Sequence, residues 1–308
     1  MTVERPKVSI GLPVYNGERY LSAALDGMLR QTFEDFEIVI SDNASTDSTR
    51  EICSAYCKKD DRIRYSRNDT NIGSARNYNK VFALSRGSYF AWAAHDDLYG
   101  NRYLESCVEV LDNDPSVSLC YSVPEIIDAF GKPIPALGPN QMIGADGKVV
   151  SHIDKPHIAE SPRIEERFRD AIDNFWCLQV FGLIRAENMR DSGLQRGYYG
   201  ADKIFLAEIS LMGRFHQIDE KLFFKRVHIE MSFYLNNEER AKWIDPDGAV
   251  RFPQVEKLKD YVSMVLRTKM SARERMICFS LIAERIWHKI FIPGPNNYLG
   301  INFSQTKL

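Results

Sequence analysis

The chain has 308 residues, 44% of them hydrophobic and 27% charged, a balance that excludes a disordered, collagen-like or coiled-coil chain. Lys and Arg number 40 and Asp and Glu 42, for a formal net charge of −2, so no nucleic-acid partner is expected. At this length two domains, or one large α/β domain with an extension, are expected, with core enough to fold without a disulfide or metal staple.

The first 17 residues carry no long apolar run ahead of a small-residue cleavage site, so no secretory signal is expected. No stretch reaches the roughly 18 apolar residues of a spanning helix. The nearest, Met276 to Ile286, is broken by Glu284 and Arg285. Cys53, Cys57, Cys107, Cys120, Cys177 and Cys278 are scattered. They read as reduced structural thiols, and the chain as cytoplasmic.

Strand and helix alternate through the first half. Val8 to Leu12 reads as a buried strand, and Glu18 to Gln31 as a helix with Tyr20, Leu21, Ala24, Leu25 and Met28 on one face. Phe36 to Ile40 is a second strand, and Ser45-Thr46-Asp47 offers caps for a helix through Ile52 and Tyr56. After a short strand at Ile63 to Ser66, Asn71-Ile72-Gly73 opens a helix to about Leu84, with Gly87 suited to a left-handed residue after its end. Ser88 to Ala93 is a strand running into His95-Asp96-Asp97, followed by a helix over Arg102 to Leu111 and a strand over Val117 to Ser122. This spacing means βαβ units and a mostly parallel sheet.

Pro124 to Pro156, rich in Gly and Pro, reads as a long surface excursion. Helices are expected from Ser161-Pro162 to about Asn174 and from Asp202 to Leu211, then a strand over Lys221 to Val227. After Asn237 the chain turns helical and charged, and Ser271 with Glu274 forms a capping box for a helix through Trp287.

Ligands of parallel sheets bind at the carboxyl ends of the strands. Three such ends are polar here: Pro13-Tyr15-Asn16, Asp42-Asn43 and His95-Asp96-Asp97. Two adjacent carboxylates suit a hard divalent cation bound to a diphosphate, but taken alone they read more readily as a turn or helix cap before Leu98. Asp42 suits a nucleobase or ribose, and equally an Asx turn. Arg76, one turn into a helix, suits phosphate or a solvated face. Asp202 serves as a first-turn acid without further role. His228 alone reads more readily as structural than as a ligand. No G-x-G-x-x-G follows the first strand, and there is no P-loop, nucleophile elbow or H-E-x-x-H.

Together these residues resemble the family 2 inverting glycosyltransferases of the GT-A fold. The likeness is carried by Pro13-Val14-Tyr15-Asn16-Gly17-Glu18, by the block from Gln31 to Asp47 that contains Ile40-Ser41-Asp42-Asn43-Ala44-Ser45-Thr46-Asp47, by Asn71-Ile72-Gly73-Ser74-Ala75-Arg76-Asn77, and by His95-Asp96-Asp97. It is strong over about residues 6 to 122 and weak to about 230.

The resemblance implies a nucleotide pocket lined by Pro13, Tyr15, Asn16 and Glu18, with Asp42 reading the base and Asn71 and Arg76 near the diphosphate or ribose. It implies Mg²⁺ or Mn²⁺ at the end of a D-x-D motif. Ala94 stands where many members have the first Asp, so ligation is expected to rest on Asp97, with Asp96 holding the ribose or the metal. His228, in Arg226-Val227-His228, fits an R-x-H motif and joins the metal set. Asp202 matches the catalytic base, with Ala201-Asp202 in place of the usual Glu-Asp. The chemistry fits these roles. An inverting transferase needs one base for the acceptor hydroxyl and positive charge where the nucleoside diphosphate leaves.

The expected protein is therefore an α/β, GT-A-like domain with a mostly parallel nucleotide-binding sheet flanked by helices. It spans residues 1–232, with a donor half to about 123 and an acceptor half from 124. A C-terminal helical extension follows over 233–308. The donor would be a UDP-, GDP- or dTDP-sugar, and the acceptor a sugar or lipid-linked hydroxyl. The rivals are a nucleotidyltransferase, which needs a basic Gly-rich loop after the first strand, and a non-catalytic nucleotide-sugar-binding module, which Ala94 favours. In the extension, Arg267, Lys269, Arg273, Arg275, Arg285, His288 and Lys289 accompany Met276, Phe279, Leu281, Ile282, Ile286, Trp287 and Ile290. Such a segment packs on the catalytic domain, forms a homodimer contact, or lies on an anionic membrane.

Overall fold

The computed structural model describes residues 5–135, 141–143, 149–151, 159–173, 177–248 and 253–291. Strand β1 (Val8–Val14) pairs in parallel with β2 (Phe36–Asp42), and β2 with β3 (Ile63–Arg67). Every residue of β1 and β2 is buried, as near-continuous apolar runs covered on both faces require. Gly11 admits the Phe90 ring, because a Cβ there would stand 2.5 Å from Phe90 Cζ. Helix α1 (Leu21–Leu29) buries Leu21, Ala24, Leu25 and Met28, the stripe read from the sequence. It starts at Leu21 rather than Glu18 because the Glu18 amide donates to Asp47 and its carboxylate accepts from Ser48. Those bonds hold Glu18 in the loop.

Helix α2 (Thr49–Lys59) leads to β3, and α3 (Ser74–Leu84) leads to β4 (Tyr89–Trp92), which lies parallel to β1 on its other side. Gly87 is not left-handed. Glycine is needed there by close approach, since a Cβ would fall 2.6 Å from the Ser9 amide nitrogen. The left-handed glycine is Gly73, at φ 84°, ahead of α3.

The chain continues through β5 (Leu98–Tyr99), α4 (Tyr103–Asn113) and β6 (Val117–Ile127). Much of the Pro124 to Pro156 excursion lies outside the described residues, apart from the end of β6, its turn, and a ribbon of β7 (Gln141–Ile143) with β8 (Val149–Ser151). Then come α5 (Ile164–Asp173), β9 (Leu183–Arg185), α6 (Ala186–Asp191), α7 (Ala201–Met212) and β10 (Arg214–Arg226). The main sheet has the order β3-β2-β1-β4-β9-β6-β10-β5. Short β9 runs antiparallel to both β4 and β6, and β10 runs parallel to β6. The two reversals cancel, so the carboxyl ends of β1, β2, β4 and β10 share one edge. β10 starts seven residues before the expected Lys221, and register shifts between Ile218 and Phe223 break the alternation that would have revealed it.

The extension is α8 (Asn237–Ile244), α9 (Pro253–Arg267) and α10 (Ala272–Phe291). It shares a core with α5 and α7, in which Tyr261, Met264, Cys278, Leu281 and Ile282 meet Ile164, Phe168, Ala201 and Ile204. Beside this core, fully buried Glu208 of α7 binds Arg196 at 2.8 Å and also Arg267 of α9. The end of α8 closes over α3, where a Cβ on Gly73 would stand 2.4 Å from the Ile244 carbonyl oxygen. Gly73→Ala is therefore expected to cost about 1–3 kcal/mol, from the positive φ and the clash together. Urea unfolding checks this, and wild-type stability would contradict the contact.

Candidate functional site

The loops after β1 and β2 are laced together at the carboxyl edge. Asn16, left-handed at φ 52°, donates its amide to Ser45 Oγ and accepts the Thr46 amide on Oδ1, both at 2.9 Å. Gly17 donates to Thr49 Oγ1 at 2.8 Å. Asn16 and Glu18, expected in the nucleotide pocket, spend their side chains on the Thr46 and Ser48 amides of the facing loop. Pro13 is buried in β1 opposite Ser41. Tyr15 is 39% exposed at the strand's end, free to offer its ring face.

Asp42 ends β2 as expected, but its carboxylate is fully buried. It accepts from the Ser45 amide (2.8 Å), Tyr65 Oη (2.7 Å) and Arg67 Nη1 (2.6 Å). Burial works against its charge, and these donors overcome it, holding the carboxyl below its ordinary range. The solvent-reaching partner is Arg67, which the sequence reading missed; it stands on β3 with a side chain 32% exposed. Asn71 accepts from Asn43 Nδ2 and the Gly73 amide, bracing the turn into α3. Arg76 points to the extension, with Nη1 2.7 Å from Asp247 and Nη2 3.1 Å from Asp245. The expected phosphate partner is occupied by two resident carboxylates.

At the ends of β4 and β10 the two adjacent acids part company. Asp97 is fully buried. Both its oxygens accept from Lys225 Nζ at 3.1 Å, and Oδ1 also accepts the Arg226 amide at 2.9 Å. Asp96, 8% exposed, turns the other way, and its Oδ2 meets His228 Nε2 at 2.9 Å. Arg226 Nε donates to the Asp96 carbonyl at 2.7 Å. Burial opposes the Asp96 charge, and Lys225 with the His228 contact overcomes it, so its carboxyl stays below the ordinary range. Asp97, thought the principal ligand, already has a cation, while Asp96 and His228 present an oxygen and a nitrogen to one place. The sequence held one clue, the lysine just ahead of Arg226-Val227-His228.

Among the described residues no three His, Cys, Asp or Glu side chains surround a point fit for a metal. The contacting pair Asp96 and His228 offers an oxygen and a nitrogen, and Mg²⁺ or Mn²⁺ commonly takes one or two side-chain ligands with the rest from phosphate and water. The donor set fits such an ion carried with a diphosphate. Ala94 is buried and apolar and adds no ligand.

Asp202 lies in the first turn of α7, after Gly200, which takes the cap position with φ 82°. Solvent reaches the side chain, yet protein crowds it closely, and this crowding raises its pKa against a hydrogen bond from Gln195. The effect opposes the ionising influence expected from the helix N-terminus. Burial raises the Tyr78 pKa, and the charges of Asp202, Asp96 and Asp97 add to the rise.

The fold is the GT-A-like one. TarS of S. aureus in complex with UDP superposes with a TM-score of 0.64 over 96% of this chain and 76% of that one, at 18% identity. The mannosyltransferase PcManGT of Pyrobaculum calidifontis, in complex with GDP-Man and Mn²⁺, gives 0.56 over 94% and 71%, at 15% identity. The family model of glycosyl transferase family 2 matches residues 9–191, more than half of the sequence, and the chain belongs to that family. An uncharacterized glycosyltransferase of Rickettsia felis is 35% identical over 142 residues, 45% of this chain and 23% of the relative. Glycosyltransferase GlyG of Streptococcus pneumoniae is 30% identical over 111 residues, 36% of this chain and 37% of that protein. The matched stretch thus spans less than half of either relative.

Proposed function

We propose that the protein transfers a sugar from a nucleoside diphosphate donor to an acceptor hydroxyl with inversion, in glycan or glycolipid synthesis. The observation carrying this reading is the pairing of Asp96 with His228 at the carboxyl edge of the sheet. Asp96 and His228 would hold Mg²⁺ or Mn²⁺, which when bound supplies positive charge where the diphosphate leaves. Tyr15 and Arg67 would contact the nucleoside, with Asp42 fixing Arg67. Asp202 would remove the acceptor proton, its raised pKa suiting a base that works nearer neutrality. The UDP and GDP-Man of the two structural neighbours support a nucleotide-sugar donor. Thermal-shift screening against UDP, GDP, dTDP and their sugars tests the reading. Stabilisation by one nucleotide family, larger with Mn²⁺, is expected; no response to any would sink it.

The catalytic reading is preferred to the non-catalytic rival because the chain carries Asp202, Asp96 and His228, side chains that a transferase would use. Peripheral membrane contact through α10 also has less support, since Cys278, Leu281 and Ile282 are used in the core and Arg285 binds Asp173. Met276 and Trp287 stay mainly exposed; the side chains of His288, Lys289 and Ile290 lie outside the described residues. In flotation with anionic liposomes at low salt, the protein is expected to stay in the bottom fraction. Recovery with the vesicles would restore the membrane reading.

A further inference from the structure

A metal-binding histidine is usually oriented by a hydrogen bond from its second ring nitrogen. His228 has none. Its Nδ1 is buried without a hydrogen-bond partner among the described residues, and the nearest carboxylate, on Glu230, stands 3.8 Å away with a side chain 59% exposed. Besides its Nε2 contact to Asp96, the imidazole packs against one aromatic ring. The Tyr20 ring lies against it, with centroids 4.8 Å apart and planes tilted by 48°. Tyr20 also carries the Arg226 guanidinium at 4.8 Å from its ring centroid and that of Arg19 at 5.0 Å. Arg226 is in turn fixed by the carbonyls of Asp96, Asp128 and Ala129. Tyr20 itself is anchored at the start of α1, where its amide donates to the Gly17 carbonyl at 3.1 Å. It is 7% exposed, and its hydroxyl has no hydrogen-bond partner among the described residues. The ring makes these contacts, and the hydroxyl makes no hydrogen bond among the described residues.

We infer that Tyr20 is the positioning residue for His228, its aromatic face setting the imidazole so that Nε2 addresses the same point as the Asp96 carboxylate. The inference rests on the metal reading above and adds to it a residue from the first helix, more than 200 positions away in sequence. Aromatic contact fixes a neighbouring ring by its preferred tilted geometry, and a cation over the opposite charge of a ring face adds to the hold. The hydroxyl contributes nothing to either effect.

The test is Mn²⁺ affinity in the presence of UDP, read by electron paramagnetic resonance of free Mn²⁺, for wild type, His228→Ala, Tyr20→Phe and Tyr20→Leu. Tyr20→Leu is expected to weaken Mn²⁺ binding by about 10–100-fold, as loss of groups that orient a ligand does. UDP binding without metal should be unchanged, which a general loss of structure would not allow. Tyr20→Phe, which keeps the ring, is expected to bind Mn²⁺ like wild type. Wild-type affinity in folded Tyr20→Leu overturns the inference, and so does a clear loss in Tyr20→Phe, whether or not the Leu variant folds. If wild type and His228→Ala bind Mn²⁺ equally, the metal reading itself fails and takes the inference with it.

Discussion

Asp202→Asn is expected to lower turnover by about 10²–10⁴-fold, the usual contribution of a general base, with donor affinity nearly unchanged. The change is isosteric and made at a solvent-reached position, so stability should hold. A merely structural acid predicts otherwise. The cap position of α7 belongs to Gly200, and Asn supports a helix start about as well as Asp, so turnover would survive. The pH profile adds a second reading. A base must be ionised, and crowding raises the Asp202 pKa. Turnover should therefore fall on acidification at a pH above the ordinary aspartate value of about 3.9, and the limb should vanish in the residual activity of Asp202→Asn. Near wild-type turnover would move the base elsewhere. Asp191, exposed at the end of α6, would then be next. Glu208 is excluded by its complete burial and its two arginines.

The second large effect separates the neighbouring acids Asp96 and Asp97. Asp97→Ala removes the counter-ion of Lys225, whose side chain is only 12% exposed. Breaking such a buried pair costs about 3–5 kcal/mol, so the variant should unfold much earlier in denaturant. Asp96→Asn keeps a hydrogen-bonding side chain opposite His228 and should unfold near the wild-type midpoint. It should instead lose Mn²⁺-dependent donor binding. Ligation resting on Asp97, as the resemblance implies, would give the reverse, an Asp97→Ala variant that stays folded and inactive. That outcome would reinstate Asp97 as the metal ligand.

The difference between these two readings shows what one sequence carries. Apolar runs such as Val8 to Leu12 and Phe36 to Ile40 announce buried parallel strands, because strands covered on both faces need little polar alternation. The stripe of α1 was legible for the same kind of reason. The three polar strand ends converge because parallel strands share an edge. Short β9 carries too few residues to show any period, and β10 hides behind its register shifts. At the site, residue type gave the candidates but not their partners. Nothing near Asp97 in sequence indicates that Lys225 neutralises it, nor near Arg76 that Asp245 and Asp247 claim it. These are contacts over more than 100 positions, fixed by the tertiary fold. The bonds of Asn16 and Glu18 to the facing loop were likewise not legible in the sequence.

The central claim is transfer from a nucleoside diphosphate sugar assisted by a metal held at Asp96 and His228. It is tested most directly by incubating the wild-type protein and Asp96→Asn with a panel of UDP-, GDP- and dTDP-sugars, with and without Mn²⁺, and measuring nucleoside diphosphate release. The account predicts release from one donor by the wild type, stimulated by Mn²⁺ and largely lost in Asp96→Asn. Release that neither Mn²⁺ nor Asp96→Asn alters would contradict it.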